Sequence, residues 1–110
     1  MSLPPTPAPA LALHHDTAAQ RFEAQRGGRT VGHLAYETAA DGARVLTHTI
    51  VPPEHAGQGV ASFLARAVLD DARARGLQVV PECSFVAAWL QRHPDYLPLV
   101  QPGARERLER

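Results

Sequence analysis

One stretch of twelve residues constrains the fold of this chain more than any other. Residues 50–61 read IVPPEHAGQGVA: a β-branched pair stops at two prolines, a turn with two glycines follows, and a helical pattern begins. The stretch predicts a strand, a tight loop and a helix N-terminus. Glycines let backbone N–H groups approach a ligand closely, and a helix start supplies unpaired donors with partial positive charge. The loop thus predicts a phosphate site for a nucleotide-like cofactor; alternatively, its glycines only reverse the chain.

The composition narrows the class of protein. The 110 residues support one domain, and 11 basic residues balance 11 acidic ones, so no net charge favours nucleic acid or a membrane as partner. A single cysteine, Cys83, leaves no pair for an intramolecular disulfide. No apolar span of membrane length and no signal-peptide pattern occurs, which predicts a cytoplasmic protein. No pair of histidines has a metal-ligand spacing with acidic neighbours, so no metal is expected.

Three regions differ in character along the chain. Residues 1–15 are rich in proline and alanine and predict a disordered tail. Residues 101–110 form a polar C-terminal tail, which could be a frayed helix. The working domain is therefore expected over residues 16–100.

Hydrophobic periodicity within this domain predicts the order βββαβα. Three antiparallel strands form a meander, with Leu46, His48 and Ile50 expected on one face of the third. A helix then runs to Gly76, and a short parallel strand and a second helix starting near Ser84 follow. The fold class is α/β with a mixed sheet. Because the crossover should be right-handed, the glycine loop and the turn at Cys83 should meet at the carboxyl edge of the parallel pair, where ligands of open sheets collect.

Four motifs occur in order and at compatible spacing: HTIV with Pro52 at the end of the third strand, GQGVA leading into the first helix, PECSFV, and HPDY. With them, residues 22–100 resemble the core of the GNAT superfamily of N-acetyltransferases, and specifically its short, single-domain, YjdJ-type branch. The resemblance implies acetyl-CoA as cofactor and an open acceptor site. One position departs from it: Ala56 stands where such loops usually carry a long polar residue, and His55 and Gln58 are the candidates to compensate for that loss.

The resemblance also implies which residues bind the cofactor. The third strand would line the pantetheine arm, the glycine loop would hold the pyrophosphate, and the start of the second helix would also contact the cofactor. These residues are Thr49, Ile50, Val51, Gly57, Gln58, Gly59, Val60, Ala61, Ser62 and Ser84.

Two residues are candidates for catalysis. Acetyl transfer needs a neutral amine and hence a base; His48 has a suitable intrinsic pKa, although a strand histidine can equally be a hydrogen-bonded structural residue. Cys83 precedes a predicted helix N-terminus, which favours the thiolate, but a lone cysteine can also be a small buried hydrophobe. Tyr96 could protonate the leaving thiolate or, the safer interpretation, pack against the sheet after a helix stop.

The sequence therefore predicts an acetyl-CoA-dependent N-acetyltransferase that acts on a primary amine of a small molecule or peptide, as a monomer or weak dimer. The alternative is a non-catalytic CoA-binding or protein-interaction module on the same core. A P-loop nucleotide hydrolase is poorly supported, because the loop lacks a Gly-Lys-Ser/Thr ending.

Overall fold

The structure, a computed structural model, describes residues 10–108 and contains one five-stranded mixed sheet. Its strands lie side by side in chain order; the first four are antiparallel and the fifth is parallel to the fourth. They are β1 (Ala12–Asp16), β2 (Arg21–Arg26), β3 (Arg29–Thr38), β4 (Arg44–Ile50) and β5 (Val79–Pro81). The predicted α/β class, with a meander followed by a parallel strand, is confirmed.

Strand β1 corrects the boundary predicted for the N-terminal tail. Residues 12–15 were expected to be disordered, but they belong to an edge strand that pairs with β2 from Ala12 to Asp16. The His15 ring stacks on Phe22 at 4.0 Å, and its Nε2 lies 2.7 Å from the hydroxyl of Tyr36. These contacts with residues distant in the chain order a segment that has little apolar content of its own. The rest of the predicted tail, residues 1–9, lies outside the described residues.

Three helices follow the meander: α1 (Val60–Arg75), α2 (Ser84–Arg92) and α3 (Pro102–Leu108), with 3-10 turns at Pro53–His55 and Pro94–Leu99. Helix α1 ends at Gly76 as predicted, because Gly76 adopts φ 69° and caps the carbonyls of the last turn. Helix α3 lies in the segment expected to be a polar tail. All three helices add buried residues to one apolar cluster with one face of the sheet, so we call this the helix face. The opposite face, which we call the open face, exposes polar side chains.

A bulge in β4 decides which side chains reach each face. Tyr36 pairs with Leu46, but the preceding residue Ala35 pairs with His48, so Thr47 is an extra residue. Leu46 is consequently fully buried on the helix face, whereas His48 and Ile50 are exposed. The expectation that Leu46 shares a face with the other two is therefore wrong, because period-two alternation does not continue through a bulge.

A buried arginine joins the sheet to α1. Arg44 Nη1 donates to Asp71 at 2.8 Å, and its guanidinium lies 4.7 Å from the centroid of the Tyr36 ring. Burial alone would raise the pKa of Asp71, but hydrogen bonds from Arg44 and Arg75 outweigh it, so the pKa of this carboxyl lies below its ordinary value. The pair fixes α1 against the end of the sheet opposite to the glycine loop.

Candidate functional site

Strand β4 continues beyond the end of its neighbour β5. Pairing ends at Leu46 with Pro81, and the Cys83 N–H then donates to the Leu46 carbonyl at 2.8 Å. Residues 47–50 continue without a strand partner on that side within the described part of the chain. Extended backbone with unpaired N–H and C=O groups can accept an extended ligand as if it were another strand. The gap therefore presents an amide-binding edge at the carboxyl end of β4.

The glycine loop lies directly beyond this edge. Gly57 has φ 76° and Gly59 has φ 79°, values that non-glycine residues rarely adopt. Gly59 is also the N-cap of α1, and no side chain caps that helix. Within residues 10–108, none of the six N–H groups from Gly57 to Ser62 donates to a backbone acceptor. A row of free donors at the positive end of a helix is suited to an anion such as a phosphate.

A pocket of about 330 Å³ connects the loop with the neighbouring elements. Six of the ten predicted cofactor residues line it: Val51, Gly57, Gly59, Val60, Ala61 and Ser62. Phe85 of α2 forms the opposite wall, which the sequence analysis did not predict. The pocket thus combines apolar walls with backbone donors, as small-molecule sites commonly do.

Gly32 of β3 controls how closely α1 approaches the sheet at this point. A methyl group at Gly32 would lie 2.8 Å from Val60 Cγ1 and 3.2 Å from both the Ile50 carbonyl oxygen and Val51 Cγ2. Only glycine lets the first turn of α1 pack here without displacement. The sequence analysis missed this residue; the signal for it was an isolated glycine inside a strand pattern.

Cys83 lies at the gap, as predicted, but is nearly buried. It is the N-cap of α2, with 6% of its surface exposed, and its Sγ lies 3.3 Å from the Thr49 hydroxyl across the gap. Ser84, near which the helix is expected to start, is the first residue of α2 and does not line the pocket. The thiol and a predicted pantetheine contact are thus direct neighbours.

His48 lies on the open face of β4, not inside the pocket. Its Nδ1 is 3.3 Å from the Thr47 hydroxyl, and its ring lies 5.8 Å from that of His33 on β3. Burial, followed by the charge of Arg21 and the proximity of His48, lowers the pKa of His33, although Glu23 opposes this. The lowered pKa favours the neutral form of the His33 ring. Sequence reasoning gave His33 no role, since only strand register brings it beside His48.

The remaining predicted residues lie at the margin of the site. Ile50 is 49% exposed on the open face, and the Gln58 side chain turns away from the pocket to accept a hydrogen bond from Arg26. Tyr96 is buried, and its hydroxyl donates to Asp70 on α1 at 2.7 Å. This hydrogen bond, ahead of burial, raises the pKa of Tyr96, which supports the packing interpretation over an acid role.

Residues 10–108 contain neither a metal-binding cluster nor a membrane-spanning helix. No group of three or more His, Cys, Asp or Glu side chains is gathered closely enough to hold a metal ion. None of the helices in this range is long and apolar enough to cross a membrane. A larger pocket of about 430 Å³ lies at the opposite end of the sheet, but it is lined by two turns and Gln101 and contains no histidine or cysteine.

The fold and the site together identify the class of protein. The family model described as GCN5-related N-acetyl-transferase matches residues 21–99. The chain therefore belongs to this family. The matched range contains all five elements of the site: β3, β4, the glycine loop, α1 and the start of α2.

Individual relatives are more distant. The chain is 29% identical to Protein NATD1 of Xenopus tropicalis over 101 residues, which cover 87% of this chain and 91% of that protein. It is 30% identical to human Protein NATD1 over 97 residues, covering 84% of each. The solution structure of a GCN5-like protein from Staphylococcus aureus has a TM-score of 0.65 at 24% identity, covering 83% of this chain and 88% of that one, and this likeness concerns the fold alone.

A ribosomal-protein-alanine N-acetyltransferase from Brucella melitensis is also similar, with a TM-score of 0.50 and 25% identity. The match covers 57% of this chain and 49% of the Brucella protein, so the chain spans about half of that protein's length. Membership of the YjdJ-type branch stays a prediction.

Proposed function

We propose that this protein is an acetyl-CoA-dependent N-acetyltransferase that acts on a primary amine of a small molecule or peptide. The observation that supports this most directly is the row of six unpartnered N–H groups from Gly57 to Ser62, which opens into a pocket beside the free edge of β4. A site for an anion and a site for an extended amide chain adjoin each other there. CoA has both groups, a diphosphate and an amide-containing arm.

Acetyl-CoA supplies the acetyl group as a thioester. In the proposed complex, the glycine loop binds the diphosphate, and backbone groups of residues 47–50 bind the amides of the arm. Thr49 of β4 and Val51, just after that strand, contact the arm on one side, while Phe85 of α2 contacts it on the other. The donors are backbone groups, so Ala56 in the loop removes no N–H from the set.

The acceptor amine reacts only when it is neutral, so a proton must leave it. His48 is the proposed base, as predicted, and His33 lies beside it on the neighbouring strand. Both lie on the open face, where the described helices cover neither ring. In the proposed mechanism, an amine approaches from this side.

Cys83 has two candidate roles. In one, its sulfur attacks the acetyl carbon, a thioester forms at Cys83 as CoA leaves as the thiol, and the amine then takes the acetyl group and returns the cysteine to its thiol. In the other, the amine attacks the acetyl carbon directly and Cys83 only lines the gap. We propose the first role because Sγ lies beside Thr49, whose hydroxyl can donate to a thiolate at this distance.

The experiment incubates the protein with acetyl-CoA and a panel of amines and peptides, and measures acetylated products and free CoA by mass spectrometry. Transfer to an amine is the expected result. CoA binding in calorimetry without any transfer would instead favour the alternative, a non-catalytic CoA-binding or protein-interaction module. No CoA binding at all would refute both the transferase and the CoA-binding module, and would leave only the protein-interaction module.

Three variants separate the roles on an amine that is acetylated. Cys83→Ala should lose turnover while it keeps CoA affinity, and the wild type without acceptor should accumulate an acetyl group on Cys83. Near-normal turnover of Cys83→Ala would refute the covalent route. His48→Ala should slow transfer by roughly 100-fold. His14→Ala, an exposed histidine on the same face, is the matched control and should react like the wild type.

The cytoplasmic location and the monomeric or weakly dimeric state also stay predictions. Size-exclusion chromatography with light scattering tests the oligomeric state, and a mass well above that of a dimer would contradict it.

A further inference from the structure

The side chain of His55 lies in the wall of the pocket beside the glycine loop. From Pro53 to Gly59 every other residue is exposed, whereas His55 is half-buried. Among the described residues that line the pocket, the others have no ionisable side chain. His55 is therefore the lining residue that can bring a full positive charge to a loop whose backbone donors carry only partial charges.

A short turn fixes the position of this histidine. Pro52 and Pro53 restrict the backbone that leads into the 3-10 turn Pro53–His55. The N–H of His55 donates to the Pro52 carbonyl at 2.9 Å, and the N–H of Ala56 donates to the Pro53 carbonyl at 3.1 Å. These bonds hold the backbone of His55 in place without a ligand. A residue that is placed in advance loses little conformational freedom when it binds one.

The ring of His55 is not used in holding the fold together. Across residues 10–108, it takes part in no hydrogen bond, ion pair or ring contact. Four other histidines each have such a partner for their ring: His15, His33, His48 and His93. A half-buried polar ring without a partner costs free energy, so the His55 ring is suited to a ligand that supplies a hydrogen-bond acceptor.

The charged groups around the pocket favour an anion there. Glu54, the neighbour of His55 in the turn, is exposed, and the first turn of α1 has no acidic residue. Phe85 is the uncharged contribution of α2 to the wall, and from β2 Arg26 reaches the loop through its hydrogen bond to Gln58. A bound diphosphate would bring negative charge beside the ring, and a nearby negative charge favours the imidazolium form of a histidine.

We propose that His55 binds an oxygen of the CoA diphosphate as an imidazolium, so that the site takes up a proton from the solvent as CoA binds. The protonated ring donates a charge-assisted hydrogen bond, which is stronger than one from the neutral ring. No covalent bond of CoA changes in this step, and the proton leaves again when CoA dissociates. Cofactor binding is thereby linked to pH. This inference rests on the proposed function, because it assigns a further residue to the same cofactor site.

The test uses dephospho-CoA rather than CoA. The 3′-phosphate of CoA is a monoester that itself titrates near about pH 6, which overlaps with the titration of a histidine. Dephospho-CoA lacks this group and keeps the diphosphate. In calorimetry, the wild type should bind dephospho-CoA about fivefold more tightly at pH 6 than at pH 8. Titrations at pH 7 in two buffers with different ionisation enthalpies should show proton uptake on binding.

Two variants assign this proton to His55. His55→Gln keeps a side-chain N–H donor but has no group that can be protonated. It should bind dephospho-CoA nearly as the wild type does at pH 8, about fivefold more weakly than the wild type at pH 6, and without proton uptake. His14→Gln is the matched control: His14 is exposed on β1, so this variant should keep the pH profile of the wild type.

The outcomes separate this inference from the proposed function. If the wild type binds neither CoA nor dephospho-CoA, the proposed cofactor site is refuted and the role of His55 with it. If the wild type binds dephospho-CoA and His55→Gln has the same pH profile and proton uptake, only the role of His55 is refuted. Should His55→Gln not fold, NMR titration of the six histidine rings in the wild type decides. The titration of His55 should move to higher pH with dephospho-CoA, and an unchanged midpoint would overturn the inference.

Discussion

Replacing Gly32 by alanine should disturb both the stability of the fold and the cofactor site. The added methyl group would approach Val60 Cγ1 to 2.8 Å, closer than real methyl groups come to their neighbours. Val60 cannot rotate away easily, because a β-branched residue in a helix has one strongly preferred rotamer. The backbone carbonyl of Ile50, 3.2 Å from the same methyl group, blocks the other direction. We therefore expect α1 to move away from β3.

The size of the effect follows from the cost of overpacking. Inserting a methyl group into a well-packed core typically costs about 1–3 kcal/mol. A loss of about 2 kcal/mol would lower the unfolding temperature of a domain of this size by roughly 10 °C. The displaced residue, Val60, also carries one of the free N–H groups that line the phosphate site proposed at the glycine loop. CoA affinity should therefore fall by more than the loss of stability alone explains.

The assay combines thermal unfolding with calorimetric titration of CoA below the unfolding transition. Val79→Ala is the matched control: Val79 is fully buried in β5, beside Arg44 at the start of β4 and away from the loop. It should lower the unfolding temperature comparably and leave CoA affinity nearly unchanged. If Gly32→Ala unfolds within about 2 °C of the wild type and binds CoA equally well, the argument from close packing is wrong.

Three further predictions concern the packing around the site. Burial lowers the pKa of His15, so below pH 6.5 the unfolded chain takes up a proton more readily than the folded one. The free energy of unfolding should therefore fall as the pH drops from 7 to 5. His15→Gln should flatten that fall, as measured by thermal unfolding at each pH. Asp71→Asn should lower the free energy of unfolding in urea by about 3 kcal/mol, because it leaves the buried Arg44 without its anion. Arg75→Ala removes an exposed partner of the same carboxyl and should change stability by less than about 1 kcal/mol. Equal effects of the two variants would contradict the view that the buried pair is the stabilising one. Tyr96→Phe should cost about 1 kcal/mol and leave acetyl transfer unchanged, and a tenfold loss of turnover would restore an acid role for Tyr96.

The sequence predicted the features that depend on local patterns. The positions of the glycines, the helical period after Gly59 and the stop at Gly76 each act over a few residues, and the structure confirms the elements inferred from them. The glycine loop was found for the same reason. Chain order and the right-handed crossover then sufficed to bring the loop and Cys83 to one edge of the sheet.

Features that depend on distant contacts were missed. Strand β1 is ordered by contacts of His15 with β2 and β3, and no local sequence pattern predicts these contacts. The bulge at Thr47 moves His48 onto the open face, and two-residue alternation cannot reveal an inserted residue. His33 comes to lie beside His48 only through strand register.

The strand order of the sheet has a consequence for how the molecule folds. Strands β1 to β4 are neighbours in both chain and sheet, so each of their pairings closes only a short loop. In contrast, the first pair between β4 and β5 joins Arg44 to Val79, which lie 35 positions apart in the chain. Contacts between residues far apart in the chain form more slowly, so we expect the meander to form before the parallel pair. The gap that exposes residues 47–50 exists only once β5 has docked. Recovery of CoA binding during refolding should therefore lag behind the formation of the antiparallel sheet and mark the final step of folding.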